Sequence, residues 1–237
     1  MKIYAKIRFY WGAFVISTVV ALGMIPLLYI LPKKKSGWVI HALNRVILKL
    51  IGAKIKTIGK RDEKTSLFLV NHQSIIDIIA LEAIELTHFR WIAKKELFDT
   101  PWFGRLLKKG EMIRVDRSNR AGLKRLIKDV KISLEDMGRM VAVFPEGTRA
   151  SKQKLLPFKA GPKFIAEKFN MRVQPIVVVG SKWVLNEHNK TAHSGEVKLI
   201  YLEAFDIKDA PENWYELTRE KMQKVIDEEF EKNSIER

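Results

Sequence analysis

Cysteine is absent from all 237 residues. Disulfide scaffolds, thiolate-bound zinc, iron–sulfur centres and a cysteine nucleophile are therefore excluded. Glycine and proline are few, 13 and 8, which rules out a collagen-like or low-complexity chain. No G-x-S-x-G elbow occurs, so the common serine route to an acyl-enzyme is missing. The five histidines (41, 72, 88, 188 and 193) show no metal-ligand spacing beyond the His188/His193 pair, and neither a metal nor another cofactor is expected. Acidic residues are missing from the first 61 positions, which hold twelve lysines and arginines.

That imbalance belongs to a chain of formal net charge +16, and a basic surface points to an anionic partner, nucleic acid or phospholipid. No RNA-binding or helix-turn-helix pattern accompanies the charge, so no nucleic-acid partner is expected. An apolar run favours lipid. Phe9 to Leu31 is 23 residues without a charge; as a straight helix it extends roughly 34 Å, enough to cross a hydrocarbon core. Lys2, Lys6 and Arg8 flank it on one side and Lys33–Lys35 on the other. Its length, the second basic flank and the lack of an A-x-A site argue against a secretory signal peptide. Val39, Ile40, Leu43, Val46, Ile47, Leu50 and Ile51 then recur at helical spacing. Gly23 and Pro26 are expected to bend the apolar helix. Positive charge at both ends leaves two topologies open: a single span, or a helix pair buried in one leaflet.

Beyond residue 60 short apolar runs alternate with amphipathic stretches. Strands are predicted at 66–70, 90–93, 112–115, 140–144, 173–180 and 197–202, and helices at 121–137, 162–169 and 211–232. The pattern predicts an α/β fold, a central mixed and largely parallel sheet flanked by helices and preceded by the membrane-embedded helical segment. Residues 1–56 are expected to form the membrane-anchoring segment, with an apolar helix at 9–31 and an amphipathic one at 37–52, and residues 57–237 the α/β domain.

Two polar clusters follow predicted strands, where open α/β sheets place their sites. Asn71-His72-Gln73-Ser74-Ile75-Ile76-Asp77 follows Ser66–Val70. A carboxylate can fix the tautomer of a histidine and stabilise its imidazolium, making it a general base. Five residues on one helix is about 500°, so His72 and Asp77 meet only if a turn separates strand from helix. The other reading is a capping cluster, with Ser74 or Asp77 at a helix start and His72 incidental. Phe144-Pro145-Glu146-Gly147-Thr148-Arg149 follows the strand at 140. There Glu146 suits hydroxyl groups and Arg149 a phosphate or carboxylate, unless the two form only a surface pair. Lys159 precedes a predicted helix start, a favourable place for an anion.

In this order the clusters resemble the glycerolipid acyltransferase family, in particular its 1-acyl-glycerol-3-phosphate acyltransferases. His72 and Asp77 match its H-x-x-x-x-D signature, and Phe144–Arg149 its F-P-E-G-T-R block. Val173–Val177 resembles its fourth block, a V-x-P-hydrophobic strand that the resemblance implies supports the acyl pocket. Gly110 to Arg117 stands for the block usually written G-x-I-F-I-x-R; it is one residue longer, and Arg114 interrupts its apolar run. The resemblance implies that His72, oriented by Asp77, deprotonates the sn-2 hydroxyl of lysophosphatidate. That hydroxyl attacks an acyl-CoA or acyl carrier protein thioester directly, making phosphatidate for phospholipid synthesis without an acyl-enzyme. Arg117, Glu146, Gly147, Thr148, Arg149 and Lys159 would hold the glycerol phosphate. The expected location is the inner (cytoplasmic) membrane, with the catalytic domain on the cytoplasmic side and phospholipid as a partner. Two alternatives stay open: another lysolipid acceptor such as a lyso-aminolipid, and a non-catalytic anionic-lipid-binding protein.

Overall fold

The computed structural model describes residues 2–116 and 119–233. Helix α1 (Lys2–Thr18) runs through a π turn (Val19–Met24) into α2 (Ile25–Ile30), one continuous helix Lys2–Ile30. It begins earlier than the apolar run because Lys2, Lys6 and Arg8 are helical too. Pro26 cannot donate to the turn before it, and the helix absorbs this by widening its register, Ile25 N–H bonding Val20 O. A single turn at Lys33–Lys35 leads into α3 (Ser36–Ile51), which stops at Gly52 with φ 74°. A side chain there would also crowd Ser194 Oγ at 3.1 Å.

Next come β1 (Ala53–Ile58), β2 (Leu67–Val70), α4 (Ile75–Ile84), β3 (Arg90–Lys94), α5 (Lys95–Phe98), α6 (Phe103–Lys109) and β4 (Ile113–Val115). After these stand α7 (Arg120–Lys131), β5 (Val141–Val143), α8 (Ala160–Lys168) and β6 (Arg172–Val179). The chain closes with α9 (Ser181–Val184), the ribbon β7 (Leu185–Asn186) and β8 (Thr191–Ala192), β9 (Gly195–Tyr201), β10 (Phe205–Asp206) and α10 (Trp214–Asn233).

The main sheet has the order β1-β9-β6-β2-β5-β3-β4, with β10 on the start of β6. Strands β6, β2, β5, β3 and β4 are parallel, β1 and β9 are parallel to each other, and β9 joins β6 antiparallel. The expected mixed, largely parallel sheet is what forms. Pro175 lies on a central strand where it cannot donate, in the gap where β6 passes from β9 to β10.

Alternation along the strands sends Phe68, Val70, Ala142, Ile176 and Val178 to one face, under α4, α3 and the N-terminal helix. Leu67, Leu69, Val141, Val143 and Val173 go to the other, under α7, α8 and α10. The boundary expected at 56/57 falls inside β1, which pairs with β9 from Ala53 to Ile58. Helix α3 packs on α4, and His41 Nδ1 lies 2.7 Å from the Glu82 backbone oxygen and 3.1 Å from its carboxylate. The N-terminal segment is thus part of the fold.

Candidate active site

Strands β2 and β5 are neighbours in register, Leu69 opposite Val143, so the segments leaving their C-terminal ends emerge at the same level. After β2, the buried Asn71 side chain takes over pairing with β6: Val178 N–H donates to its Oδ1 at 2.6 Å and its amide donates to Val178 O at 3.0 Å. The backbone is released to turn into α4. Ser74 (φ −149°, ψ 163°) caps that helix, and Ile76 N–H donates to its Oγ. The turn that the His72–Asp77 spacing requires is this cap.

Asp77 is fully buried, and its Oδ2 accepts from His72 Nδ1 at 2.9 Å, Gln73 N–H at 2.6 Å and Ser74 N–H at 2.9 Å. One oxygen therefore serves the capping box and the histidine together, so the helix cap and the His72–Asp77 contact coexist. With Nδ1 held, Nε2 is the ring nitrogen left for the cleft that His72 lines. The His72 ring stacks on Phe144 (centroids 3.7 Å apart), and Phe144 on Trp91 at 4.7 Å. Trp91 Nε1–H donates to Glu82 at 2.9 Å.

Backbone bonds tie the two clusters. Ala150 N–H donates to His72 O at 2.8 Å, and His72 N–H to Glu146 Oε1 at 2.8 Å. The other Glu146 oxygen accepts from Leu156 N–H at 2.7 Å. Glu146 is buried, which pushes its carboxyl up to about 7 against the two N–H bonds that favour the charge. Both its oxygens are spent on backbone, so it braces the loop bearing His72 and does not face the cleft as a hydroxyl-binding group would. Gly147, at φ 71°, makes the turn that presents Thr148 and Arg149 to the cleft. The buried Lys182 donates to Ala150 O at 2.8 Å and to Ser151 O, fixing the end of that turn.

The cleft measures about 990 Å³. His72, Phe144 and Gly147–Arg149 line it, and Ile75, Ile78, Ile79 and Glu82 form one stripe along α4. Its opposite wall includes Ile16, Val20 and Met24 of the N-terminal helix and Ile40 and Ile47 of α3. The chain therefore builds a polar, basic corner on an apolar trough that suits an acyl chain.

Lys159 is not part of this assembly. Its N–H braces Pro145 O at 2.8 Å, while the residue borders a second cavity of about 550 Å³ on the α7–α8 side of the sheet. Arg117 lies outside the described residues. None of residues 173–177 lines the cleft: Ile176 lies on the α4 side of the sheet and Val173 on the opposite side. Sequence reasoning missed Glu187, on the β7–β8 ribbon: its Oε1 accepts from Ile75 N–H at 2.7 Å and lies 3.5 Å from Arg149 Nη1. Nothing in Asn186-Glu187-His188 signals a partner 112 residues away.

The family model described as Acyltransferase matches residues 53–179, a span that holds both clusters. The chain belongs to the acyltransferase family. It is an enzyme of that class. It is 40% identical over 176 residues to the 1-acyl-sn-glycerol-3-phosphate acyltransferase of Helicobacter pylori, covering 74% of each chain. A lyso-ornithine lipid O-acyltransferase of Brucella abortus is 35% identical over 148 residues, 59% of this chain and 52% of that protein. The crystal structure of the 1-acyl-sn-glycerophosphate acyltransferase PlsC from Thermotoga maritima superposes over 100% of this chain and 99% of its own, with TM-score 0.77 at 21% identity; at that identity it speaks for the fold.

Proposed function

We propose that the enzyme transfers a fatty acyl group from an acyl thioester, on coenzyme A or acyl carrier protein, to the sn-2 hydroxyl of 1-acyl-glycerol-3-phosphate. The observation carrying this reading is one cleft shared by the Asp77-held His72, the Arg149 guanidinium and an apolar trough. His72 Nε2 takes the hydroxyl proton as the oxygen attacks the thioester carbonyl. Asp77 holds Nδ1–H and stabilises the imidazolium. The tetrahedral intermediate collapses with loss of thiolate, which receives the proton from His72. No residue is acylated. Gly147, Thr148, Arg149 and Arg117 are proposed for the glycerol phosphate; Glu146 is assigned to positioning, and Lys159 to the loop's support.

The relative of Helicobacter pylori, named for this reaction, supports the choice of acceptor. The Brucella abortus relative favours a second reading, in which the acceptor is a lyso-aminolipid. Acyl transfer to each acceptor separates them: a phosphate acceptor should depend on Arg149, and a zwitterionic lyso-ornithine acceptor should not.

The N-terminal helix supports a one-leaflet attachment. It rests on the domain along its whole length: Ala5, Gly12 and Val15 are buried near its start and Met24, Ile25 and Leu28 near its end. Tyr4, Ile7, Trp11, Phe14 and Leu22, with Trp38, Val46 and Leu50 of α3, face outward. A helix laid flat on the domain offers a bilayer one apolar side rather than its length. The inner membrane, with the domain on the cytoplasmic side, is the proposed location, because the thioester donors and the basic residues belong there.

A further inference from the structure

The exposed apolar surface does not stop at the N-terminal helix. Trp102 is 57% exposed and Leu97 38% exposed, on the α5–α6 corner of the α/β domain. Trp102 has φ 61° and ψ −64°, a positive-φ conformation that a bulky residue rarely adopts. That strain is retained although the ring gains little burial, and observed strain of this kind points to function. The Arg105 guanidinium lies over the indole, 5.4 Å from its centroid. Lys94 to Lys109 holds five basic residues against Glu96 and Asp99, and among the described residues Arg105 and Lys108 pair with no carboxylate.

This corner is continuous with the N-terminal helix. Helix α6 packs against α2, and Lys109 Nζ lies 4.0 Å above the ring of Tyr29, itself exposed near the end of α2. Leu97, Trp102 and Phe103 also form part of the catalytic cleft. A large exposed indole, an exposed leucine and unpaired cations beside an apolar helix are the composition of a bilayer interface.

We propose that the α5–α6 corner is a second membrane contact, made by the catalytic domain itself. Leu97 and Trp102 enter the boundary between headgroups and acyl chains, and Arg105 and Lys108 meet anionic headgroups. The cleft mouth is thereby held open to the leaflet, so that a lipid acceptor enters sideways. This rests on the lipid-acyltransferase reading for its purpose, although the contact itself is measured without it.

Because the chain has no cysteine, Trp102→Cys and, as a second position, Leu97→Cys each give one site for an environment-sensitive fluorophore. Leu22→Cys reports insertion of the N-terminal helix, and Lys221→Cys, exposed on α10, reports the far face of the sheet. Each labelled protein is bound to vesicles of phosphatidylethanolamine and phosphatidylglycerol, then quenched by aqueous iodide or by lipids carrying a doxyl group. The expected result is a several-fold loss of iodide quenching, with doxyl quenching gained, at 97, 102 and 22 but not at 221. Iodide access at 97 and 102 equal to that at 221, with 22 protected, overturns the proposal; so does access at all four. Acyl transfer by the unlabelled protein to a short-chain, water-soluble lysophosphatidate is run beside it. Its absence would count against the enzymatic reading and leave the contact to stand or fall on the quenching alone.

Discussion

Glu146→Gln separates a residue that holds the loop from one that holds the acceptor. Glutamine keeps one acceptor oxygen but turns an amide toward the second N–H, so either His72 or Leu156 loses its partner. An unmet buried donor costs about 1–3 kcal/mol, and that deficit should show in denaturant unfolding near pH 5. The wild type also carries a titration that the variant lacks. Its carboxyl sits at about 7 rather than 4.5, so between those values the folded protein keeps a proton that the unfolded chain has released. Wild-type stability therefore falls as pH rises through that window and levels off above it, by about 3 kcal/mol at 1.36 kcal/mol per unit. The variant's deficit should shrink or reverse by pH 8. In kinetics, a loosened His72 backbone should lower kcat roughly ten- to a hundredfold and leave KM for lysophosphatidate nearly unchanged. A KM raised roughly tenfold, about 1.4 kcal/mol of lost binding, with kcat and the pH profile of stability unaltered, would show that Glu146 grips the acceptor after all.

Asp77→Asn retains an oxygen for the Gln73 and Ser74 N–H groups, so the helix cap survives while the imidazolium loses its counter-charge. We expect kcat to fall roughly 10³- to 10⁴-fold at an unchanged melting temperature. Glu187→Gln keeps the Ile75 bond but removes the charge 3.5 Å from Arg149. KM for a phosphate acceptor should drop by about fivefold, on the order of 1 kcal/mol, whereas a rise would mean that Glu187 aims Arg149. Glu82→Ala strips the partner from Trp91 Nε1–H and leaves His41 without its carboxylate inside the protein. A loss of about 3–5 kcal/mol is expected in urea unfolding, and an effect below 1 kcal/mol would deny that this pair fastens α3 to the domain.

Much of this arrangement was legible in local pattern. Apolar runs ending in Asn71-His72 and in Phe144-Pro145 marked β2 and β5, and the five-residue spacing already demanded a turn between His72 and Asp77. Strand β1 was missed although Ala53–Ile58 alternates. Its lysines make it a typical protected edge strand, but they also made it look like more of the basic segment. Helix α5 and the ribbon β7–β8, four residues and two pairs, are too short for any periodicity to show. The roles of Glu146 and Lys159 were illegible for a different reason. Their residue types fit anion and hydroxyl binding, yet which side of the sheet they serve is set by tertiary contacts with Leu156 and the α7–α8 cavity. The sharing of the cleft by the N-terminal helices was equally hidden, because amphipathic spacing names a buried face without naming its neighbour.

The central claim is direct acyl transfer by an Asp77-held His72 to a phosphate-bearing lysolipid. Its most direct test is product formation in vesicles by the wild type, His72→Ala and Arg149→Ala. Acyl-CoA and acyl carrier protein donors are each offered with lysophosphatidate or with lyso-ornithine lipid. The account predicts phosphatidate from the wild type, none from His72→Ala, and a raised KM for lysophosphatidate in Arg149→Ala. Phosphatidate formed at an undiminished rate by His72→Ala, or product from lyso-ornithine lipid alone, would contradict it.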